Sequence, residues 1–163
     1  MSSNHPFRLF VYGTLKRGSW NHEAYCSKAV SIEDAAVRGR LYEFASGIPV
    51  LKVPERDVIA HGSANIVDDL AIQRDLEVSL SEHSECDGET WQQIEGELIS
   101  LPNPAVSLPP IDRLEGFNPN GVSLYRRVLV PVISGDGVAA GWCYVAGPKA
   151  TRMLTPTFLT RWG

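Results

Sequence analysis

Glu115 is the carboxylate whose neighbours are least like those of a surface acid. It stands in Ile111-Asp112-Arg113-Leu114-Glu115-Gly116-Phe117, where Asp112 is the one other acid. Residues three apart on a helix share a face, which would set Asp112 beside Glu115. Apolar surroundings raise the pKa of a carboxylate, as a group that takes and returns a proton near neutrality requires. On the residues alone, a surface glutamate closing a helix remains open as the alternative.

The second candidate uses backbone rather than side chains. Phe7 to Gly18 reads FRLFVYGTLKRG, an apolar run ending in Tyr12-Gly13-Thr14-Leu15 and, after Lys16 and Arg17, a second glycine. Gly13 and Gly18 fit the first six positions of G-x-x-x-x-G-K-[ST]. Ser19 then occupies the lysine slot and Trp20 the magnesium-binding hydroxyl slot, which excludes a P-loop nucleoside triphosphatase. What survives is a glycine loop after a strand, whose N–H groups can face a carboxylate or a developing oxyanion. An ordinary strand-to-helix turn has the same composition. Other chemistries have less behind them. His83 and Cys86 form an HxxC pair without a second pair at ligand spacing, so no metal site is expected, and no G-x-S-x-G elbow is present. Cys143, between Trp142 and Tyr144, reads as a buried structural thiol.

These groups need elements to hold them. Arg8 to Val11 reads as a short central strand, and Asn21 as the cap of a helix over Asn21 to Ala29. Val37, Leu41, Phe44, Val50, Leu51 and Val53 surround Gly39 and the Ser46-Gly47-Ile48-Pro49 turn as in a hairpin. Val58 to Val67 and Gln93 to Leu101 are two more strand candidates. Val128 to Ile133 and Ala139 to Val145 bracket Ser134-Gly135-Asp136-Gly137 as the clearest hairpin. Between them, Ile111 to Phe117 predicts one helical turn, with Pro110 at its start and Gly116 ending it. Many strands and turns with little intervening helix favour a barrel, largely antiparallel, with helices packed on it.

Composition bounds the rest. The 163 residues, 44% hydrophobic, fit a single domain over 1–163 with its own core. Asp68 to Trp91 is rich in acids, with Arg74 as its one base, and its second half SEHSECDGET has turn composition, so about 68–91 is expected to be a mobile acidic excursion. With 15 basic and 19 acidic residues and a net charge of -4, no broad basic surface exists for nucleic acid or an anionic membrane. Three dispersed cysteines suit a reducing compartment. With no signal-like N-terminus and no long apolar run, the chain reads as cytoplasmic.

Together, VYGTLKRG, VRGRLYEF with GIPVL, IEGELISL, IDRLEGF, SLYRRVLVPV and AGWCYV resemble, in order and over nearly the whole chain, the gamma-glutamylcyclotransferase-like superfamily and its avirulence-induced-protein-like branch. The resemblance implies an α+β fold, a mixed, largely antiparallel β-barrel with short flanking helices and one cavity. It implies that Tyr12, Gly13, Thr14 and Leu15 hold the glutamyl head of a small-molecule substrate, with Tyr125 near the pocket and Lys16 and Arg17 at its rim. Glu115 would be the acid and base that closes a gamma-glutamyl amine or amino acid to pyroglutamate, without metal or organic cofactor. A non-catalytic small-ligand-binding protein using the same barrel is the alternative. Nothing in the sequence sets an oligomeric state.

Overall fold

The computed structural model describes residues 6–19, 21–75, 91–118, 123–135, 137–150, 153–157 and 159–162. In chain order the elements are β1 (Phe7–Val11), α1 (His22–Cys26), β2 (Ser31–Glu43), β3 (Pro49–Lys52), β4 (Ala60–His61), α2 (Ile66–Asp75), β5 (Gln92–Leu101), α3 (Pro104–Glu115), β6 (Tyr125–Ser134), β7 (Gly137–Ala146) and β8 (Thr155–Pro156). Strands β2, β5, β1, β7 and β6 follow one another by hydrogen bonding, and pairing of Ala35 with Ser134 and Ala36 with Ile133 closes them into a ring. β1 and β7 run parallel, and the other pairings are antiparallel. β3 and β8 extend β2, and β4 extends β6. This is the mixed, largely antiparallel barrel with short flanking helices that the sequence predicts.

Strand alternation builds two apolar layers from the same strands. Phe10, Val128, Val130, Val132, Cys143 and Val145 pack with Ile94 and Leu98 in one cluster, which fills the barrel. Their sequence neighbours Leu9, Val11, Leu129, Trp142 and Tyr144 turn the other way, against Cys26 of α1 and Leu108 and Ile111 of α3. The helices are therefore fixed to the outside of the ring next to β1, β6 and β7. The two expected hairpins, β2–β3 and β6–β7, are present, the second with Ser134 opposite Gly137.

Four local expectations need correction. Val58 to Val67 is not one strand: Ala60 and His61 pair with β6, and a helix starts at Ile66. The Asn65 side chain accepts from the Asp68 N–H at 3.1 Å, and Asp68 and Asp69 stand in the first turn, where a helix N-terminus favours negative charge. The start of the expected acidic excursion is accordingly helix α2, while 76–90 lie outside the described residues, His83 and Cys86 included. α1 is shorter than expected, and Asn21 does not cap it: its side chain donates to the Thr14 hydroxyl instead. α3 begins six residues before Pro110, at Pro104, although it does end at Gly116 as expected. Pro104 needs no hydrogen bond at the first helical position, and the carbonyls that Pro109 and Pro110 leave unbonded belong to exposed Ala105 and Val106, within reach of water. Among the described residues no helix is long and apolar enough to cross a membrane.

Candidate active site

Where β1 ends, the chain enters Tyr12 to Leu15 and forms one wall of a pocket. Phe10, Val11, Tyr12, Gly13, Thr14 and Leu15 line it from this side, Ile48 and Pro49 from the start of β3, Tyr125 and Tyr144 from the barrel wall, and Glu115 from the end of α3. All six residues singled out from the sequence thus meet in one place. Ile48, Pro49 and Tyr144 were not singled out. The alternation that turns Trp142 and Tyr144 to the same side as Leu9 and Val11 was the signal for Tyr144.

The loop carbonyls are used up inside the protein. That of Gly13 accepts from the Lys16 N–H at 3.1 Å, that of Thr14 from the Asn21 N–H at 3.0 Å, and that of Leu15 from His22 Nδ1 at 2.8 Å. A carbonyl only accepts, so His22 carries a proton on Nδ1. The N–H groups of Gly13, Thr14 and Leu15, by contrast, find no protein acceptor among the described residues. Free backbone donors beside satisfied carbonyls are what binding of an anion requires.

Side chains brace this loop from behind. The Tyr12 hydroxyl donates to the Tyr144 carbonyl at 2.7 Å and accepts from the Leu51 N–H at 3.1 Å, so Tyr12 contributes its backbone position while its phenol ties barrel strands together. The Tyr125 hydroxyl donates to the Pro49 carbonyl at 3.0 Å and holds the opposite wall. Burial raises the pKa of both phenols, and each therefore stays protonated at neutral pH. Lys16 and Arg17 do not stand free at the rim as expected. Lys16 Nζ donates to the Trp162 carbonyl at 2.7 Å, and Arg17 reaches Glu97 through both its backbone N–H (2.8 Å) and its Nε (2.9 Å). They lock the loop onto β5 and the C-terminal segment. Gly13 has a protein reason to be glycine as well as a ligand one: a Cβ there would stand 2.9 Å from Pro49 Cγ, within the opposite wall.

Glu115 is the formally charged residue among those that line the pocket. α3 ends directly behind it, because Gly116 adopts a left-handed φ of 69° and the Phe117 N–H turns back to the Asp112 carbonyl at 2.9 Å. Burial raises the Glu115 pKa from 4.5 to about 7, and the nearby charge of Asp112 adds to the rise. At neutral pH the carboxyl is therefore divided between its two forms, as a group that takes up and then returns a proton must be. Asp112 itself accepts from the Tyr144 hydroxyl and from Arg127 Nε (3.0 Å) and Nη2 (3.2 Å). The structure thus supports the acidic pair expected from the spacing and adds a buried arginine that sequence reasoning missed. Its signal was the Tyr125-Arg126-Arg127 run, in which alternation turns Arg127 to the same side as Leu129.

Among the described residues, no three His, Cys, Asp or Glu side chains converge as metal ligands. Cys26 and Cys143 are free and buried, and burial pushes the Cys26 thiol up to about 12, so both stay protonated and unreactive.

Two comparisons relate the chain to known proteins. Residues 9–85, a stretch that includes the loop and stops before Glu115, match the family described as "Gamma-glutamyl cyclotransferase, AIG2-like". The resemblance read from the sequence is thereby borne out. Among solved structures, YkqA from Bacillus subtilis is similar with a TM-score of 0.55 and 20% identity, over 96% of this chain and 39% of that one. The chain therefore spans about two-fifths of that protein's length. An AIG2-like protein from Mus musculus is similar with a TM-score of 0.50 and 18% identity, over 98% of this chain and 89% of that one. At these identities the two structures bear on the fold alone. No curated protein matches the chain.

Proposed function

We propose that the protein is a cyclotransferase that converts the gamma-glutamyl group of a gamma-glutamyl amine or amino acid to pyroglutamate, releasing the free amine. One observation carries the reading: Glu115, whose pKa burial raises to about 7, lines the same pocket as Gly13, Thr14 and Leu15, whose backbone N–H groups have no protein acceptor among the described residues. The family match over residues 9–85 supports an enzyme of the cyclotransferase type.

In a gamma-glutamyl amide the α-amine reaches the side-chain carbonyl of its own molecule, so a five-membered lactam closes without an outside nucleophile. Glu115 takes a proton from the α-ammonium, and the freed nitrogen attacks the gamma-carbonyl carbon. Negative charge then develops on the carbonyl oxygen, facing the N–H groups of Gly13, Thr14 and Leu15, which need no reorganisation to receive it. Protonated Glu115 returns its proton to the leaving nitrogen as the carbon–nitrogen bond breaks. The lactam nitrogen then loses its second proton to Glu115, which passes it to the released amine, so two protons move from the attacking to the departing nitrogen, the amine leaves as its ammonium form and Glu115 ends as it began. Tyr12 and Tyr125 serve by holding the two walls apart at a fixed width.

The test is incubation with a panel of gamma-glutamyl amides, read by mass spectrometry. The expected products are pyroglutamate and free amine in equal amounts, at a rate that a chelator leaves unchanged. Glutamate in place of pyroglutamate would make the protein a hydrolase. Tight binding of an amide that stays intact across the panel would make it a binding protein.

A further inference from the structure

Among the described residues Arg127 is the largest charged side chain to be fully buried, and a buried guanidinium persists only when its donors are satisfied. Here four of its five N–H groups are placed: Nε and Nη2 on the two oxygens of Asp112, Nη1 on Asp69 Oδ2 at 2.9 Å, and a second bond of Nη2 on the Ser63 carbonyl at 3.2 Å. Its guanidinium carbon lies 5.0 Å from the Phe117 centroid and 5.5 Å from that of Trp142. Asp112 precedes Glu115 by three residues and Phe117 follows it by two. The arginine therefore grips the chain on both sides of the glutamate, and through Asp69 it ties that grip to α2.

We propose that Arg127 is a positioning residue for Glu115, fixing through Asp112 and Phe117 where its carboxyl stands and which charges it faces. This rests on the reading of Glu115 as the acid and base of the pocket. The groups around Glu115 are Cys26 on α1, Tyr12 after β1, Tyr125 on β6, Cys143 and Tyr144 on β7, and Asp112 on its own helix. The phenols and thiols stay neutral, which leaves Asp112 as the charged member, and Arg127 is the counter-charge that offsets it. A lysine would keep the charge at position 127 but lose the two-pronged hold on Asp112 and the stacking on Phe117.

The test compares D112N, R127K and D69N, each at a temperature where it is folded by circular dichroism. Glu115 is titrated in the free protein by the carbon-13 shift of its carboxyl, and kcat and KM are measured across pH. D112N removes the like charge, and the Glu115 midpoint and the acidic limb of the rate profile should fall by on the order of half a pH unit. R127K weakens the counter-charge on Asp112, and the midpoint should rise. Its kcat should fall roughly tenfold or more with KM nearly unchanged, as expected when a catalytic group is displaced and not deleted. D69N leaves the Asp112 grip in place and should give a smaller change in the same parameters. If R127K does not fold, the D112N titration alone decides. An unshifted Glu115 midpoint in every variant that folds overturns the proposal, whatever the pocket takes as substrate. A shifted midpoint without pyroglutamate release sinks the cyclotransferase reading and leaves the positioning role standing.

Discussion

The two sides of the pocket are built on opposite principles. On the loop side, backbone carbonyls are spent on Lys16, Asn21 and His22, while the N–H groups of Gly13, Thr14 and Leu15 have no protein acceptor among the described residues. On the glutamate side, charge is dense and matched: Arg127 is 0% exposed and meets Asp69 and Asp112, exposed by 2% and 15%. The first side leaves backbone donors without a protein acceptor among the described residues, and the second spends Arg127, Asp69 and Asp112 on one another beside the helix end that carries Glu115. Unsatisfied polar groups cost stability and so mark where a partner binds, whereas a satisfied buried ion network fixes geometry. Changes on the loop side should therefore act on binding, and changes under α3 on folding and on the chemical step.

Several substitutions would break or sharpen that contrast. The largest effect is expected for Glu115→Gln, which keeps shape but can neither accept nor return the proton. Its kcat should fall ~10²- to 10⁴-fold with substrate binding retained, as steady-state kinetics and calorimetry would show. Near wild-type turnover would move the base elsewhere. Next, Arg127→Met strands the buried Asp69 and the partly buried Asp112, and urea unfolding should show a loss of about 3–5 kcal/mol. An unchanged midpoint would mean that the network on this side is not structural.

Third, the raised pKa of Glu115 makes it a liability above neutrality. Its folded-state pKa of about 7 exceeds the ordinary 4.5, so its favourable contribution is complete below pH 4.5 and is lost as pH rises through 7. Glu115→Gln should thus exceed wild type in stability at pH 8 by on the order of 2–3 kcal/mol and gain nothing of this kind at pH 4. Smallest of all in stability is Gly13→Val, which must displace Pro49 and costs about 1–2 kcal/mol. Its main effect should be a rise in KM or Kd, because the side chain intrudes on the pocket between its two walls. A variant that binds normally but unfolds early would show that Gly13 serves the fold.

Much of the site was legible because its parts are local. A strand, a glycine loop and a Leu-Glu-Gly helix end each lie within a few residues, and their chemistry can be read from spacing. The barrel followed from strand-rich patterning and from the hairpin at Ser134 to Gly137. What could not be read was decided by distant partners. Arg127 looks like any strand arginine until Asp69 and Asp112 are brought to it from two helices. Asn21 has a capping residue's identity, yet Thr14 claims its side chain. Val58 to Val67 has strand-like residues, but the Asn65 cap with Asp68 and Asp69 starts a helix inside it. Lys16 and Arg17 look free for an anion and are instead bound to Trp162 and Glu97.

The parallel seam between β1 and β7 also has a consequence in time. β1 is paired with strands that follow it much later in the chain: Leu9 stands opposite Ile99 on one side and Trp142 on the other. Until both arrive, FRLFV is an unpaired apolar segment with no proline, the kind of stretch that associates with other chains. Contacts this far apart in sequence also require long loops to close first, which slows folding. The loop at the end of β1, whose N–H groups have no protein acceptor among the described residues, is thus framed only when the barrel closes, so local hairpins such as β6–β7 can form before the pocket does.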